Sequence, residues 1–531
     1  MDILIMPNTS SYWLDVALPE APPLNEDLTV DVVVVGGGLT GITTAYLLHN
    51  EGVRVALLER GRFAGADTGY TTAHLTYVTD SRLQQLVKHF GKAAAQQCWR
   101  AGAAAIDQIE EIIGHSRIDC EFRRVPGYLC TPLQPQSEDD RHKELEALHK
   151  DLELARELGF EASLTNQSAF GHTPALCFTN QAKFHPRKYL RSMLRTMAAA
   201  NVPMFERTKF EEVQKSPLKV TANGRRIQCD FVVMATHNPP MGLQSALQAT
   251  AFQTKLSLYT SYVLGARLPL NSVPEALFWD TSDPYNYLRV DTHADHQYVI
   301  FGGEDVKTGQ EDKVAVAFDN LRQRLLTLLP QAEVTHRWLG QVIETDDGLP
   351  LIGENAPREF IGTGFFGNGF TFGTLSAMMA RDRFLGRSNE WSDLFRVDRK
   401  PFHGGTWRYV SENLDFPIHF VKDRLQAKPH SLDDIAPGEG KVIAYQGNNV
   451  AAYRSETGEL TLCSAVCTHM KCLVRWNDVA GTWDCPCHGS RFNADGTVHS
   501  GPAEQPLPRI ELPDVKQSVS SSSRTTADRT H

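Results

Sequence analysis

The feature that most constrains this chain is a run of four valines that stops on glycine. Val32-Val33-Val34-Val35 leads directly into Gly36-Gly37-Gly38-Leu39-Thr40-Gly41. A short β-branched run of that kind belongs in a parallel sheet covered on both faces. Residues 42–50 then read as a helix. After Gly52 a second strand, 53–58, ends on Glu59, which completes strand, turn, helix and strand within about 30 residues. Glycines at 36, 38 and 41 meet three separate demands: a tight turn, close backbone approach to a pyrophosphate, and close packing of helix on strand. The helix N-terminus at Thr40 to Ile42 offers N–H groups and positive dipole to phosphates, and Leu39 just before it and Gly41 are further candidate cofactor contacts. Glu59, followed by Arg60, stands where a carboxylate accepts both ribose hydroxyls of an adenosine. The pattern predicts a dinucleotide site; the competing reading is a glycine-rich turn with no ligand. FAD and NAD are not distinguished by it. No second glycine fingerprint follows a strand, which disfavours an enzyme that docks NADH beside FAD.

The rest of the chain reads as an ordinary globular protein. At 531 residues it is long enough for about three domains. The formal charge of −10 provides no basic excess to neutralise phosphates, so nucleic acid is not an expected partner. Residues 1–20 hold no Lys or Arg and no sustained apolar stretch, and no run approaches the ~20 residues of a membrane helix. A cytoplasmic protein without membrane insertion is expected. Helical spacing covers 84–113 and 139–158, strand-like segments fall at 219–220, 231–234, 256–263, 287–290 and 298–301, and 360–384 reads as strand, glycine turn, helix. These predict an α/β body over 1–390, a linker at 391–415, an all-β module at 416–513, and a Ser/Thr-rich disordered tail at 514–531.

Four motifs in order resemble the D-amino-acid oxidase superfamily of flavoproteins. They are the fingerprint, Phe231-Val232-Val233-Met234-Ala235-Thr236, Asp347-Gly348-Leu349-Pro350-Leu351-Ile352-Gly353, and Gly362-Thr363-Gly364-Phe365-Phe366-Gly367-Asn368-Gly369. The resemblance covers about residues 28–390. It implies FAD bound by a Rossmann-like part (28–80, 180–240 and 340–390) and a mixed-sheet substrate part inserted mainly at 81–180 and 241–339. It also implies that Gly364, Gly367, Asn368, Gly369 and Phe370 belong to a loop and helix lying against the flavin ring. Two departures matter. The family's amino-acid oxidases carry a carboxylate-binding arginine in a Trp-x-Gly-x-Arg stretch, and here the stretch is Trp338-Leu339-Gly340-Gln341-Val342. Neither Gln341 nor Val342 reproduces a guanidinium clamp. The amine-oxidase branch fits better, although its usual Gly-His-Gly is Gly367-Asn368-Gly369. His185, Arg289 and His74 are weak candidates for the substrate pocket, with core or surface roles as the alternative. Asp291-Thr292-His293-Ala294-Asp295-His296 reads as a solvated turn.

Ten cysteines are placed unevenly: Cys463, Cys467, Cys472, Cys485 and Cys487 crowd into 25 residues. Cys467-Thr468-His469 and Cys485-Pro486-Cys487-His488 supply two thiols and two imidazoles, which could bind zinc. The flanks, Cys467-Thr468-His469-Met470-Lys471-Cys472 and Cys485-Pro486-Cys487-His488-Gly489-Ser490, resemble the two loops of a Rieske 2Fe-2S domain. That resemblance implies Cys467 and Cys485 on one iron, His469 and His488 on the other, and a disulfide between Cys472 and Cys487. Gly501-Pro502-Ala503 resembles its Pro loop. Rieske centres span about −150 to +300 mV. Phe492 stands where high-potential respiratory forms carry a tyrosine hydroxyl, so a lower potential is expected. A disulfide is unusual in a cytoplasmic protein, although burial can protect it. Together the parts suggest a flavoenzyme that oxidises a small amine and passes electrons through the cluster to an external acceptor. The alternatives are a reductase or monooxygenase receiving electrons through the cluster, and a non-catalytic carrier or redox sensor. A Rieske oxygenase is disfavoured because only 43 residues follow His488.

Overall fold

The structure is a computed structural model that describes residues 9–133, 137–166, 168, 173–240, 255–310, 314–399, 431–445 and 447–511. The expected tail, and the expected linker and domain start between 400 and 430, lie outside the described residues.

The valine run folds as predicted. Val32–Val35 pairs in parallel with Val55–Leu58 on one side and Phe231–Met234 on the other. The six-stranded sheet continues through Glu359–Thr363 to Leu351–Ala356 at one edge and ends on Met204–Phe205 at the other. All four valines are buried because successive side chains enter different cores. Val32 and Val34 pack with Ile42 and Leu375. Val33 and Val35 pack with Val220 and Ile227, which belong to a four-stranded sheet laid on the opposite face. The helix Leu39–Asn50 begins at the glycine turn itself, with Gly38 as its N-cap. Helix Gly369–Phe384, capped by Asn368, is buried around most of its circumference, as an apolar helix between neighbours should be.

A nine-stranded mixed sheet forms the second layer. Its longest strands, Glu333–Thr345, Leu256–Leu268 and Gln297–Lys307, are antiparallel neighbours at one edge. Tyr287–Thr292, Leu277–Asp280, Arg123–Cys130 and Ala175–Lys183 follow in that order across the sheet. The helical stretch expected over 84–113 is two helices, Leu83–Phe90 and Lys92–Ser116, because Gly91 adopts φ +83° between them. The last part of the chain is all β. It comprises a three-stranded sheet (Gly440–Tyr445, Asn448–Arg454, Leu460–Ser464) and a four-stranded one (Arg475–Asn477, Thr482–Asp484, Arg491–Asn493, Val498–Ser500). Trp483 and Phe492 are fully buried among Cys467, Cys472 and Cys485. No helix among the described residues is long and apolar enough to cross a membrane.

Candidate functional site

A cavity of about 590 Å³ is lined from both large sheets, within the range of cofactor and ligand sites. Ten of the twelve candidate cofactor residues form its wall: Gly36, Gly38, Leu39, Thr40, Glu59, Arg60, Gly367, Asn368, Gly369 and Phe370. Gly41 and Gly364 stand behind it. A Cβ on Gly41 would lie 1.8 Å from the Gly36 carbonyl oxygen, and one on Gly364 would lie 2.3 Å from Thr345 Cγ2. These two glycines close the packing and do not touch the cavity. Gly36, at φ +107°, has Ala235 O only 2.4 Å from where a Cβ would sit. Glu59 is half-buried, and its two oxygens accept from Gly37 N and Gly61 N, each at 2.7 Å. Desolvation outweighs those donors and raises its carboxyl above the usual range. The turn, the acid at the second strand's end and the glycine loop opening a helix fit a dinucleotide running along the cleft.

The three weak candidates separate. His74 lines the cavity, is buried, and packs its ring edge-on to Tyr287 at 5.6 Å. Burial, with Arg289 nearby, pushes it down to about 3, so it is a neutral imidazole. His185 is instead the N-cap of helix Pro186–Ala199, its Nδ1 accepting from Lys188 N at 3.4 Å, and its ring packs on Trp13. Arg289 also misses the cavity. It is 2% exposed, donates to Ala73 O and Phe184 O at 2.8 Å, pairs with Asp291 at 2.9 Å, and lies over the Trp13 ring. This corrects the reading of Asp291-Thr292-His293-Ala294-Asp295-His296 as solvated: Asp291 is in strand Tyr287–Thr292 and buried, and only the following residues turn. Burial alone would raise the Asp291 carboxyl, but Arg289 and Lys183 outweigh it and hold it at about 2.

At the other centre, Cys472 and Cys487 form a disulfide across the two loops. The sulfurs of Cys472, Cys485 and Cys487 converge within 4.8 Å, but two of the three are spent in that bond. The groups left are the thiols of Cys467 and Cys485 and the imidazoles of His469 and His488. Hydrogen bonding from Cys485, against the effect of burial, lowers Cys467 to about 7, while the same contact and burial push Cys485 well up, so the pair shares a proton with Cys467 as the thiolate. The His469 and His488 rings face each other edge-on at 5.1 Å. Burial pushes both down to about 4, which keeps them neutral, the form in which imidazole binds metal. The thiols meet each other and the imidazoles meet each other, a pairing that fits a cluster with two unlike irons. Ser490 is fully buried and its Oγ accepts from Ala503 N at 3.1 Å, which leaves its proton to donate. Gly501 presses on the second loop, where a Cβ would meet Ser490 Cα at 2.7 Å.

The two centres are joined by contacts that sequence reasoning did not find. Gln341, on the strand where the arginine stretch would be, donates from Nε2 to Gly489 O at 3.0 Å and to Thr308 Oγ1 at 3.2 Å. Ser500 Oγ donates to its Oε1 at 3.4 Å. Gly489 immediately follows His488, and a Cβ there would lie 2.6 Å from Leu258 Cβ. Arg60 donates to His499 O at 3.1 Å and Lys209 to Glu504 O at 2.9 Å. Ser500, Gly501, Pro502 and Glu504 therefore line the same cavity as the glycine turn. Gln341 was singled out only for lacking a guanidinium; no local pattern says what its amide meets.

A Rossmann-like glycine cleft beside a mixed sheet, with a two-loop Cys/His centre on its rim, defines a flavoprotein oxidoreductase coupled to an iron–sulfur domain. The chain belongs to the FAD dependent oxidoreductases (DAO), matched over residues 31–383, and carries a Rieske [2Fe-2S] domain matched over 428–511. FAD and a Rieske 2Fe-2S cluster are its cofactors. It is 32% identical over 510 residues to YhfW of Bacillus subtilis (strain 168), named for a Rieske 2Fe-2S iron-sulfur protein, covering 94% of this chain and 97% of that one. It is 24% identical to the γ-glutamylputrescine oxidoreductase of Escherichia coli (strain K12), covering 79% of this chain and 99% of the relative. The glycine oxidase structure from Geobacillus kaustophilus shares the fold, with a TM-score of 0.58 at 18% identity over 70% of this chain and 99% of that one.

Proposed function

We propose that the protein is an amine dehydrogenase whose electrons leave through the cluster. Bound FAD supplies acceptance of a hydride from the carbon beside nitrogen and release of the two electrons one at a time. Loss of that hydride and of an N–H proton turns the amine into an imine, which water hydrolyses to a carbonyl compound; an external one-electron acceptor takes the electrons. The residues that would hold FAD are Gly36, Gly38, Leu39, Thr40, Glu59 and Arg60 at the nucleotide end and Gly367 to Phe370 at the ring. Cys467, Cys485, His469 and His488 would hold the cluster.

The observation that carries the reading is Val342. It holds the place of the arginine in the family's carboxylate-recognition stretch and lines the cavity without a charge, so the wall has no guanidinium there to clamp an amino-acid carboxylate. Its neighbour Gln341 commits its amide to Gly489 and Ser500 of the cluster domain. The similarity to γ-glutamylputrescine oxidoreductase supports an amine in place of an amino acid. Neutral His74 adds no charge to the wall. Anaerobic addition of a panel of primary and secondary amines, following flavin bleaching and the spin resonance signal of the reduced cluster, tests the proposal. An effective amine bleaches the flavin and produces the cluster signal in the same reaction. If no amine bleaches the flavin, while a reduced ferredoxin reduces the cluster first, electrons run the other way and the proposal is wrong.

A further inference from the structure

One strand meets both centres, at positions two residues apart. Gln341 in Glu333–Thr345 lines the cavity, is 5% exposed, and has its amide held from three sides. Nε2 donates to Gly489 O and Thr308 Oγ1, Oε1 accepts from Ser500 Oγ, and Thr308 Oγ1 in turn lies 2.9 Å from Thr260 Oγ1. A buried, fully engaged network of this kind fixes its members in one arrangement. Further along the strand, Ile343 O accepts from Phe366 N at 3.0 Å. Phe366 also lines the cavity and immediately precedes Gly367, the start of the stretch read above as holding the flavin ring. Its φ of +54° is rare for a bulky side chain, so the bond to Ile343 holds that loop in a costly conformation. Gln341 and Ile343 are separated by about 7 Å of extended strand.

The cluster domain turns its second loop to this strand and its neighbours. A Cβ on Gly309 would lie 2.7 Å from Pro486 N, and Gln310 Nε2 donates to Pro486 O at 3.3 Å. Gly489 packs on Leu258, and a Cβ on it would lie 2.6 Å from Leu258 Cβ. His488 therefore stands between two residues that are seated on the flavin domain. In the other loop Thr468 Oγ1 donates to Gln505 O at 2.7 Å, within the cluster domain, and Lys471 is exposed.

We infer that electrons pass between flavin and cluster within one chain, in this docked arrangement, along Phe366, Ile343, Gln341, Gly489 and His488, with Gln341 as the positioning residue that completes the connection. The inference rests on the cofactor placement in the reading above and adds the route to it; the route serves either direction of flow. One electron crosses at a time. The reduced flavin loses one and the oxidised cluster gains one; the second follows once an external one-electron acceptor has emptied the cluster, and the flavin's proton leaves to water. A path of one strand segment and two hydrogen bonds needs neither a swing of the cluster domain nor a second molecule.

The test uses the full chain loaded with FAD and cluster, anaerobic and free of amines. A light pulse with EDTA as the electron donor reduces the flavin, and the spin resonance signal of the cluster is followed. In the wild type that signal grows at a rate that is the same in dilute and concentrated protein and is unchanged by added glycerol. Gln341→Met and Lys209→Met each remove a hydrogen bond across the boundary, but only the first lies on the route. Hydrogen exchange at Gly489 and Ser490 gives the docked fraction of each variant. Lys209→Met loosens docking by about fivefold and keeps the wild-type rate per docked molecule, whereas Gln341→Met slows transfer per docked molecule as well. A merely structural role for Gln341 would leave that corrected rate unchanged, which overturns the route. If Gln341→Met does not fold, the wild type still decides: a rate that rises with protein concentration means transfer between molecules, one that falls in glycerol means a swinging domain, and either overturns it. If the route stands while no amine bleaches the flavin, the dehydrogenase reading falls alone. If amines bleach the flavin but clusters are reduced only by encounters between molecules, the route falls alone; a cluster that stays oxidised beside a reduced flavin removes both.

Discussion

Replacing Gln341 by leucine should loosen the cluster domain from the flavin domain without unfolding either. The side chain contributes two hydrogen bonds across the boundary, to Gly489 O at 3.0 Å and from Ser500 Oγ at 3.4 Å. At about 1 kcal/mol net each, with about 1–2 kcal/mol more for leaving a buried carbonyl without this donor, the docked state loses about 3–4 kcal/mol. That corresponds to about 150- to 1,000-fold in the undocking equilibrium. Leucine is close in volume, so packing against Leu258 changes little and the lost polar contacts dominate. Backbone hydrogen exchange reads this directly. Amides at Gly489, Ser490 and Ser500 should exchange faster by up to that factor, while Leu256–Leu268, paired on both sides within its own sheet, and Val32–Val35 in the other sheet stay protected. Unchanged exchange at 485–504 in Gln341→Leu would refute the claim that this amide seats the domain.

Other outcomes follow from the same geometry. Arg289→Met strands Asp291 and Lys183 in a buried site and should cost about 3–5 kcal/mol in chemical denaturation, with turnover per folded molecule preserved because Arg289 does not touch the cavity. Ser490→Ala should lower the cluster potential by roughly 60–130 mV, the equivalent of one hydrogen bond to a charged acceptor, and Phe492→Tyr should raise it; a potentiometric titration followed by spin resonance measures both. Gly36→Ala should yield protein without FAD, seen as loss of absorbance near 450 nm, since its Cβ would overlap Ala235 O. Burial raises the Asp305 carboxyl to about 7, with Asp80, Glu344 and Glu304 adding to the effect. The same raised carboxyl means that the folded chain holds a proton that the unfolded chain has lost. Its contribution to stability is therefore full below about pH 4 and is lost as pH climbs to about 7, the opposite of an ion-paired acid such as Asp291.

Much of the cleft was legible because its physics is local. A β-branched run stopping on glycine has few other uses, and Gly36, Gly38 and Glu59 lie within one strand-helix-strand unit. The Cys/His loops were legible for the same reason: each contributes two cluster groups within four residues of sequence. What stayed hidden depends on distant segments meeting. Arg289 looked like a pocket residue because an arginine within a strand carries no mark of the Thr72, Ala73, Phe184 and Asp291 acceptors that absorb it. His185 was a weak candidate for the substrate pocket and is a helix cap, a role that Pro186 at the next position signals in retrospect. Asp80, Tyr285 and Asp305 are 200 residues and more apart in part, and nothing near any of them announces a shared wall. The break at Gly91 was masked by alanine-rich helical spacing on both sides.

The shared wall at Ser500, Gly501, Pro502 and Glu504 has a consequence for how the molecule is made. A chain synthesised from its N-terminus completes the glycine turn early and the loop over helix Gly369–Phe384 later, but the cleft stays open along one side until the last domain has been released and folded. The dinucleotide has its widest entry during that interval. Once the Cys472–Cys487 loop pair is formed and seated on Gln341, Arg60 and Lys209, that side of the cleft is closed by the cluster domain. A change that unseats this domain should therefore appear first as leakage of flavin.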